Sequence, residues 1–214
     1  MGHSLSIDLR GQWEASRASL VSGTVQWQLP LSENLSIQAG SRLYATWPDW
    51  DSLHYQLGAT FTPVSFIVLE TGLFHAQRFR ALHATSHLWA QAKCQSPSLS
   101  IFKGFISLGW YERWTRFDKV WAIPTFQGDV HEHDFTFSLG LNAAVTPSWE
   151  LSATLATWDA VEIFNLTHPF IELRSSHPFH GSASIDFYSR YQVLLGFGRL
   201  DSLAFGVILK FERI

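Results

Sequence analysis

Apolar side chains occupy every second position along much of this chain. The pattern is clearest in 5–9, 135–141 and 203–211, where Leu, Ile, Phe and Val alternate mainly with Ser, Thr, Gly, Asp and Lys. In a β-strand this spacing places the apolar side chains on one face and the polar ones on the other. The chain is therefore predicted to be almost entirely β.

Short segments rich in Pro, Gly, Ser, Asn and Asp separate the alternating stretches and indicate where strands end. They predict twelve strands, with ten or fourteen as alternatives, because the alternation fades between 158 and 181 and is unusually long between 182 and 199. The predicted strands are 4–15, 19–29, 35–47, 53–62, 66–79, 87–95, 99–114, 133–145, 149–158, 170–176, 182–199 and 203–213.

Every second connection between these strands contains a proline. The prolines are Pro30, Pro63, Pro97, Pro147 and Pro178. Because proline fixes φ and has no N–H to donate, these connections are predicted to be tight turns on one rim, where pairing stops. The intervening connections are predicted to form longer loops on the opposite rim: 47–52, 80–86, 115–132 and 159–169.

The polar faces of the predicted strands carry charges of both signs. A bulky apolar face opposite a polar, glycine-containing face is typical of a transmembrane β-barrel, apolar outside and wet inside. Charge in a narrow barrel must be paired or hydrated, which predicts either a salt-bridge network that fills the barrel or a hydrated pore. By strand parity, the candidates to line a pore are Arg10, Arg42, Glu70, Arg78, Lys93, Lys103, Glu150, Asp186, Arg190 and Lys210.

Composition narrows the function classes. The 214 residues suit a single domain, 1–214, and no stretch approaches the roughly 20 apolar residues of a spanning helix. A net charge of −3 gives no support to nucleic-acid binding, which requires a clustered basic face. Several of the ten Trp residues fall near segment ends, which favours interfacial aromatic girdles over packing in a soluble all-β core.

Together these features resemble the bacterial outer-membrane β-barrel class over essentially the whole chain. The last strand, 203–211, is similar to the aromatic-ended terminal strand that the barrel-assembly machinery recognises in that class, although three residues follow Phe211. The resemblance implies an antiparallel up-and-down barrel in the bacterial outer membrane, surrounded by outer-membrane lipid. It also implies that the termini and the proline turns lie in the periplasm.

Two short motifs contain side chains that could bind a metal or act in catalysis. In an extended chain His131 and His133 point to the same side and could ligand a metal if another segment supplied a third group. The spacing of His180 and Ser182 resembles that of outer-membrane phospholipase, but a serine nucleophile also needs an oxyanion hole within reach of substrate. Neither motif is a complete site, so no catalytic residue, metal site or cofactor is predicted.

The sequence therefore predicts a small porin-like channel, not an enzyme, that passes small polar solutes or ions. One alternative is a closed structural or surface-interaction barrel that presents extracellular loops. A second is an outer-membrane lipid-modifying enzyme, and a third is a soluble barrel or sandwich.

Overall fold

The structure is a computed structural model that describes residues 3–14, 17–46, 49–79, 83–117, 129–157, 169–179, 182–192 and 202–212. Within these ranges no helix is long and apolar enough to span a membrane. The strands are β1 (Ser4–Glu14), β2 (Arg17–Pro30), β3 (Leu35–Thr46), β4 (Asp49–Val64), β5 (Ile67–Arg78), β6 (His83–Gln95), β7 (Phe102–Phe117), β8 (Asp129–Thr146), β9 (Trp149–Ala156), β10 (Phe170–Pro178), β11 (Ala183–Gln192) and β12 (Ser202–Glu212).

The strands form one closed antiparallel barrel. Each strand pairs with the next one in the chain, and β12 pairs with β1. The closing pair runs without a register shift from Ser4 opposite Glu212 to Glu14 opposite Ser202. Closure thus gives the first and last strands hydrogen-bonding partners on both sides. The predicted all-β class, up-and-down order and count of twelve strands are confirmed.

The two faces of the barrel wall differ in chemistry, as the alternation predicts. Outward positions expose large apolar side chains, including Leu57, Leu108 and Leu139. Inward positions bury polar and charged groups, among them Glu172 and Asp186. Period-two alternation in a closed sheet produces this division directly, because successive side chains point to opposite faces.

Several strands begin earlier, on the loop rim, than the sequence predicts. β4 begins at Asp49, β6 at His83 and β8 at Asp129, each four residues earlier than expected. Each of these ends has four residues of which only one is apolar, so they lack the alternation that marks the rest of each strand. The predicted loops at 47–52, 80–86 and 115–132 are therefore too long. β11 is described as far as Gln192, and residues 193–199 of the predicted strand lie outside the described residues.

The turns on the opposite rim follow the proline pattern. Pro30 and Pro178 are the last residues of β2 and β10, and Pro147 lies between β8 and β9. Pro63 differs because it lies inside β4, where the register with β5 shifts between Phe61 and Val64. A bulge accommodates a residue that cannot donate to the ladder, so pairing continues past this proline.

Candidate functional site: the barrel lumen

The predicted pore-lining residues occupy inward positions of the observed register, but their exposure differs. Four are buried: Arg10, Arg42, Asp186 and Arg190. Three are half-buried: Glu70, Lys93 and Lys210. Three are exposed: Arg78, Lys103 and Glu150. The role of these ten residues in lining a conducting pore remains a prediction, since the structure shows only their positions and their contacts.

A continuous chain of ion pairs crosses β10, β11 and β12. Glu172 accepts hydrogen bonds from Arg190 Nη2 at 2.6 Å and from Arg174 Nη2 at 2.6 Å. Arg174 Nη1 also lies 3.6 Å from Asp186 Oδ2, and Lys210 Nζ lies 2.6 Å from that same oxygen. Arg174 therefore connects the two carboxylates.

A second set of contacts carries the network across the seam between β12 and β1. The hydroxyl of Tyr188 donates to Asp8 Oδ1 at 2.9 Å. Arg42 Nη2 lies 3.7 Å from Asp8 Oδ2, and Arg42 donates to Thr24 Oγ1 at 2.5 Å and to the hydroxyl of Tyr44 at 3.1 Å. We call the whole group, reaching from β10 to β3, the charged belt: Asp8, Arg42, Glu172, Arg174, Asp186, Tyr188, Arg190 and Lys210.

Burial explains why the belt is so extensively paired. The side chain of Asp186 is completely buried and that of Glu172 is only 9 % exposed. Withdrawing a carboxylate from water costs several kcal/mol unless opposite charge and hydrogen bonds compensate, so each of these groups needs more than one partner. The pore-lining residues predicted from the sequence leave out four members of the belt, although strand parity puts all four on the inward face: Asp8, Glu172, Arg174 and Tyr188.

Aromatic and imidazole rings occupy the wall that continues from the belt. Tyr44, His54, Phe74 and His87 follow one another across β3 to β6, with successive ring centroids 4.6, 5.2 and 4.2 Å apart. Phe74 and His87 are buried. Each of the twelve strands contributes a buried inward side chain. Side chains therefore narrow the barrel around its whole circumference.

Toward the turn rim the inward side chains are more accessible to water. Gln28, Lys103 and Glu150 are exposed there, and Lys93 is half-buried with its ammonium 3.9 Å from the centre of the Phe105 ring. We call this part of the lumen the vestibule. Its exposed charged groups require water inside the barrel on this side.

Inward glycines do not widen the lumen, because neighbouring side chains cover them. The Phe105 ring lies over Gly140 and the Tyr188 ring over Gly206, so a β-carbon at either glycine would overlap a ring. Each glycine thus allows a large side chain of the adjacent strand to lie flat against the wall.

We expect Gly140→Ala to destabilise the barrel by about 1–3 kcal/mol, because the added methyl group forces Phe105 off the wall. Gly11→Ala is the matched control, since nothing lies within 4 Å of a β-carbon there. Denaturant titrations of the refolded proteins measure both effects. In a Phe105→Ala background, Gly140→Ala should cost less; an unchanged cost would contradict the overlap.

The structure describes one of the two short sequence motifs and only part of the other. His180 and Gly181 lie outside the described residues. His131 and His133 belong to β8 and not to a loop. Among the described residues, no group of three His, Cys, Asp or Glu side chains is placed to hold a metal ion in the side-chain positions observed.

Comparison with known proteins supports the fold. No protein-family model and no curated protein sequence matches the chain. An outer-membrane channel of Pseudomonas putida F1 superposes with a TM-score of 0.66 at 9% identity, covering 99% of this chain and 96% of the other. The translocator domain of the autotransporter NalP from Neisseria meningitidis gives 0.64 at 12% identity, covering 99% and 88%.

The KdgM porin, solved in complex with disordered oligogalacturonate, gives a TM-score of 0.58 at 8% identity, covering 96% of this chain and 98% of the porin. At such low identity the shared property is the architecture. The chain has the fold of the bacterial outer-membrane β-barrels, as its sequence predicts.

Proposed function

We propose that this protein is a narrow channel of the bacterial outer membrane that passes small polar solutes or ions. The observation that carries the proposal is the arrangement of the lumen, in which a water-accessible vestibule leads to the charged belt. Similarly folded proteins include an outer-membrane channel and a porin, which is consistent with this role.

Water in the vestibule supports a channel. Lys103 and Glu150 are inward and exposed, and ionised groups keep such positions only where they are hydrated. A passage for polar solutes requires a hydrated wall of this kind. A barrel that served only as a membrane anchor could fill the same space with apolar side chains.

The composition of the narrow region also supports a channel for polar solutes. A solute that crosses it meets guanidinium and carboxylate groups on one wall, such as Arg190 and Glu172, and stacked rings on the other. Walls of mixed sign favour small polar solutes and ions over apolar ones. We assign the belt residues to this constriction and Glu70, Lys93, Lys103 and Glu150 to the vestibule.

The outward face supports placement in a membrane. Large apolar side chains such as Val25, Leu57 and Phe205 are exposed there, where water would be an unfavourable environment. We propose that outer-membrane lipid covers this face, with the barrel-assembly machinery recognising the last strand.

Planar-bilayer recording tests the channel. Wild-type protein should give discrete conductance steps, and Lys103→Glu should move ion preference toward cations. Lys103 is preferable to Arg42 or Arg190, because reversing a belt arginine would break buried ion pairs as well. The matched control is Arg116→Glu, which reverses an exposed charge on the outward face of the same strand and should leave ion preference unchanged.

Correct insertion must be checked in parallel by the heat-dependent gel mobility of folded barrels. An inserted but electrically silent protein would reject the channel and favour a closed structural barrel. An equal shift in both variants would mean that the preference arises from surface charge outside the lumen.

A further inference from the structure

The hairpin of β7 and β8 extends past the described end of β9. The two strands stay paired as far as Arg116 opposite Asp129. The described ladder between β8 and β9 reaches Ser138 opposite Ala156. Beyond that pair β8 has nine more residues, 129–137, roughly 30 Å of strand at the usual rise.

The outward face of this hairpin changes character along its length. Near the barrel body it carries Leu139 and Phe135, which are exposed and apolar. Farther along, the outward positions are His133 and His131 on β8 and Glu112 and Trp114 on β7. Because imidazoles, a carboxylate and an amphipathic indole replace the apolar band, the end of the hairpin is suited to the membrane interface or to water on its outer face.

His131, His133 and Glu112 lie together on that face. The two histidines are two residues apart on one strand, and Glu112 is directly opposite His133 in the register. His131 Nε2 lies 3.9 Å from Glu112 Oε2, and the centroids of the two imidazole rings are 6.2 Å apart. Trp114 stacks on His131 at 5.3 Å and supports one side of its ring.

We propose that His131, His133 and Glu112 bind a divalent zinc-class cation. The sequence offered two imidazoles on one side of an extended segment, and the strand pairing supplies the third group that they lacked. Two imidazoles and a carboxylate are a set that Zn²⁺ accepts, with water completing a four-coordinate shell. Mg²⁺ and Ca²⁺ prefer oxygen ligands alone and suit this set less well.

The distances are close to those that a bound ion requires. Nitrogen and oxygen ligands each about 2.0–2.1 Å from a tetrahedral ion lie about 3.4 Å apart, and two imidazoles on one ion have centroids about 5 Å apart. The present separations of 3.9 and 6.2 Å exceed these values modestly. The side chain of His131 is 50 % exposed and that of Glu112 is 30 % exposed, which leaves room for the small rotations that would bring the ligands together.

Isothermal titration of the folded, detergent-solubilised barrel with Zn²⁺ tests the site. We expect His133→Ala and Glu112→Gln each to weaken binding at least tenfold. Glu112→Gln matters most, because it keeps the shape of the side chain and removes only its charge. The control is His75→Ala, which removes an exposed outward histidine of β5 and should leave the affinity unchanged.

Two results would overturn the proposal. If Glu112→Gln bound Zn²⁺ as tightly as the wild-type protein, Glu112 would not be a ligand and the site would be only an adventitious histidine pair. Equal losses in His75→Ala and His133→Ala would show diffuse binding by surface histidines. Heat-dependent gel mobility confirms that each variant is folded, and the conductance of the barrel is measured separately, so failure here does not bear on the channel.

Discussion

Replacing Glu172 with glutamine should lower the free energy of unfolding by about 3–5 kcal/mol, the usual cost of breaking a buried ion pair from one side. Glutamine keeps the length of the side chain but removes the charge that Arg190 and Arg174 share, each through a bond of 2.6 Å. Two guanidinium groups would then face each other without the carboxylate that separates them. Denaturant titration in detergent or lipid measures the change.

Glu150→Gln is the matched control. Glu150 also points inward, on the adjacent strand β9, but it is exposed to water. Its substitution should change stability by no more than about 0.5 kcal/mol, as for most exposed positions. Equal losses in the two variants would show that the belt contributes no more to stability than the vestibule does.

Introducing arginine at Leu139 should cost about 2–4 kcal/mol if the outward face lies in the hydrocarbon core of a membrane. Leu139 is 53% exposed and lies within the apolar band of β8. A guanidinium there would have to be buried in lipid or reach the interface by deforming the bilayer. Val25→Arg and Val207→Arg should behave alike, since both side chains point outward on other strands.

His133→Arg provides the comparison on the same strand and the same face. It lies six residues from Leu139, past the end of the apolar band. Its expected cost is about 0–1 kcal/mol, because charged groups near the interface are tolerated. If the three arginine variants, at Leu139, Val25 and Val207, all folded in lipid as stably as the wild-type protein, the proposed lipid-facing surface would be wrong.

The strand map was predictable wherever one face of a strand is apolar and the other polar. In 135–141 and 203–211 the alternation is nearly uninterrupted, and β8 and β12 cover these segments. The same criterion failed in 129–134, where Val130 is the single apolar residue and alternation cannot mark a strand. Pairing in that segment comes from continuation of the β7–β8 ladder and not from burial of an apolar face.

Pairings inside the lumen could not be predicted in the same way. Parity assigns a side chain to the inward face, but the identity of its partner depends on register, and a shift of one residue changes every neighbour. Arg174 shows this, because it reaches Asp186 of the next strand as well as Glu172 two residues away. Likewise, nothing in the sequence around His133 indicates that Glu112 lies opposite it.

The contact between Tyr188 and Asp8 has a consequence for how the barrel is assembled. The two residues are 180 positions apart in sequence, and the tyrosine ring crosses β12 above Gly206 to reach the first strand. An open sheet with every other ladder complete would leave β1 and β12 at opposite edges and would contain neither this bond nor their eleven residue pairs. We expect contacts so remote in sequence to form late in folding, because their sequence separation is nearly that of the whole chain. Until β1 and β12 pair, each of these strands has one edge without a hydrogen-bonding partner, and their pairing removes both edges at once.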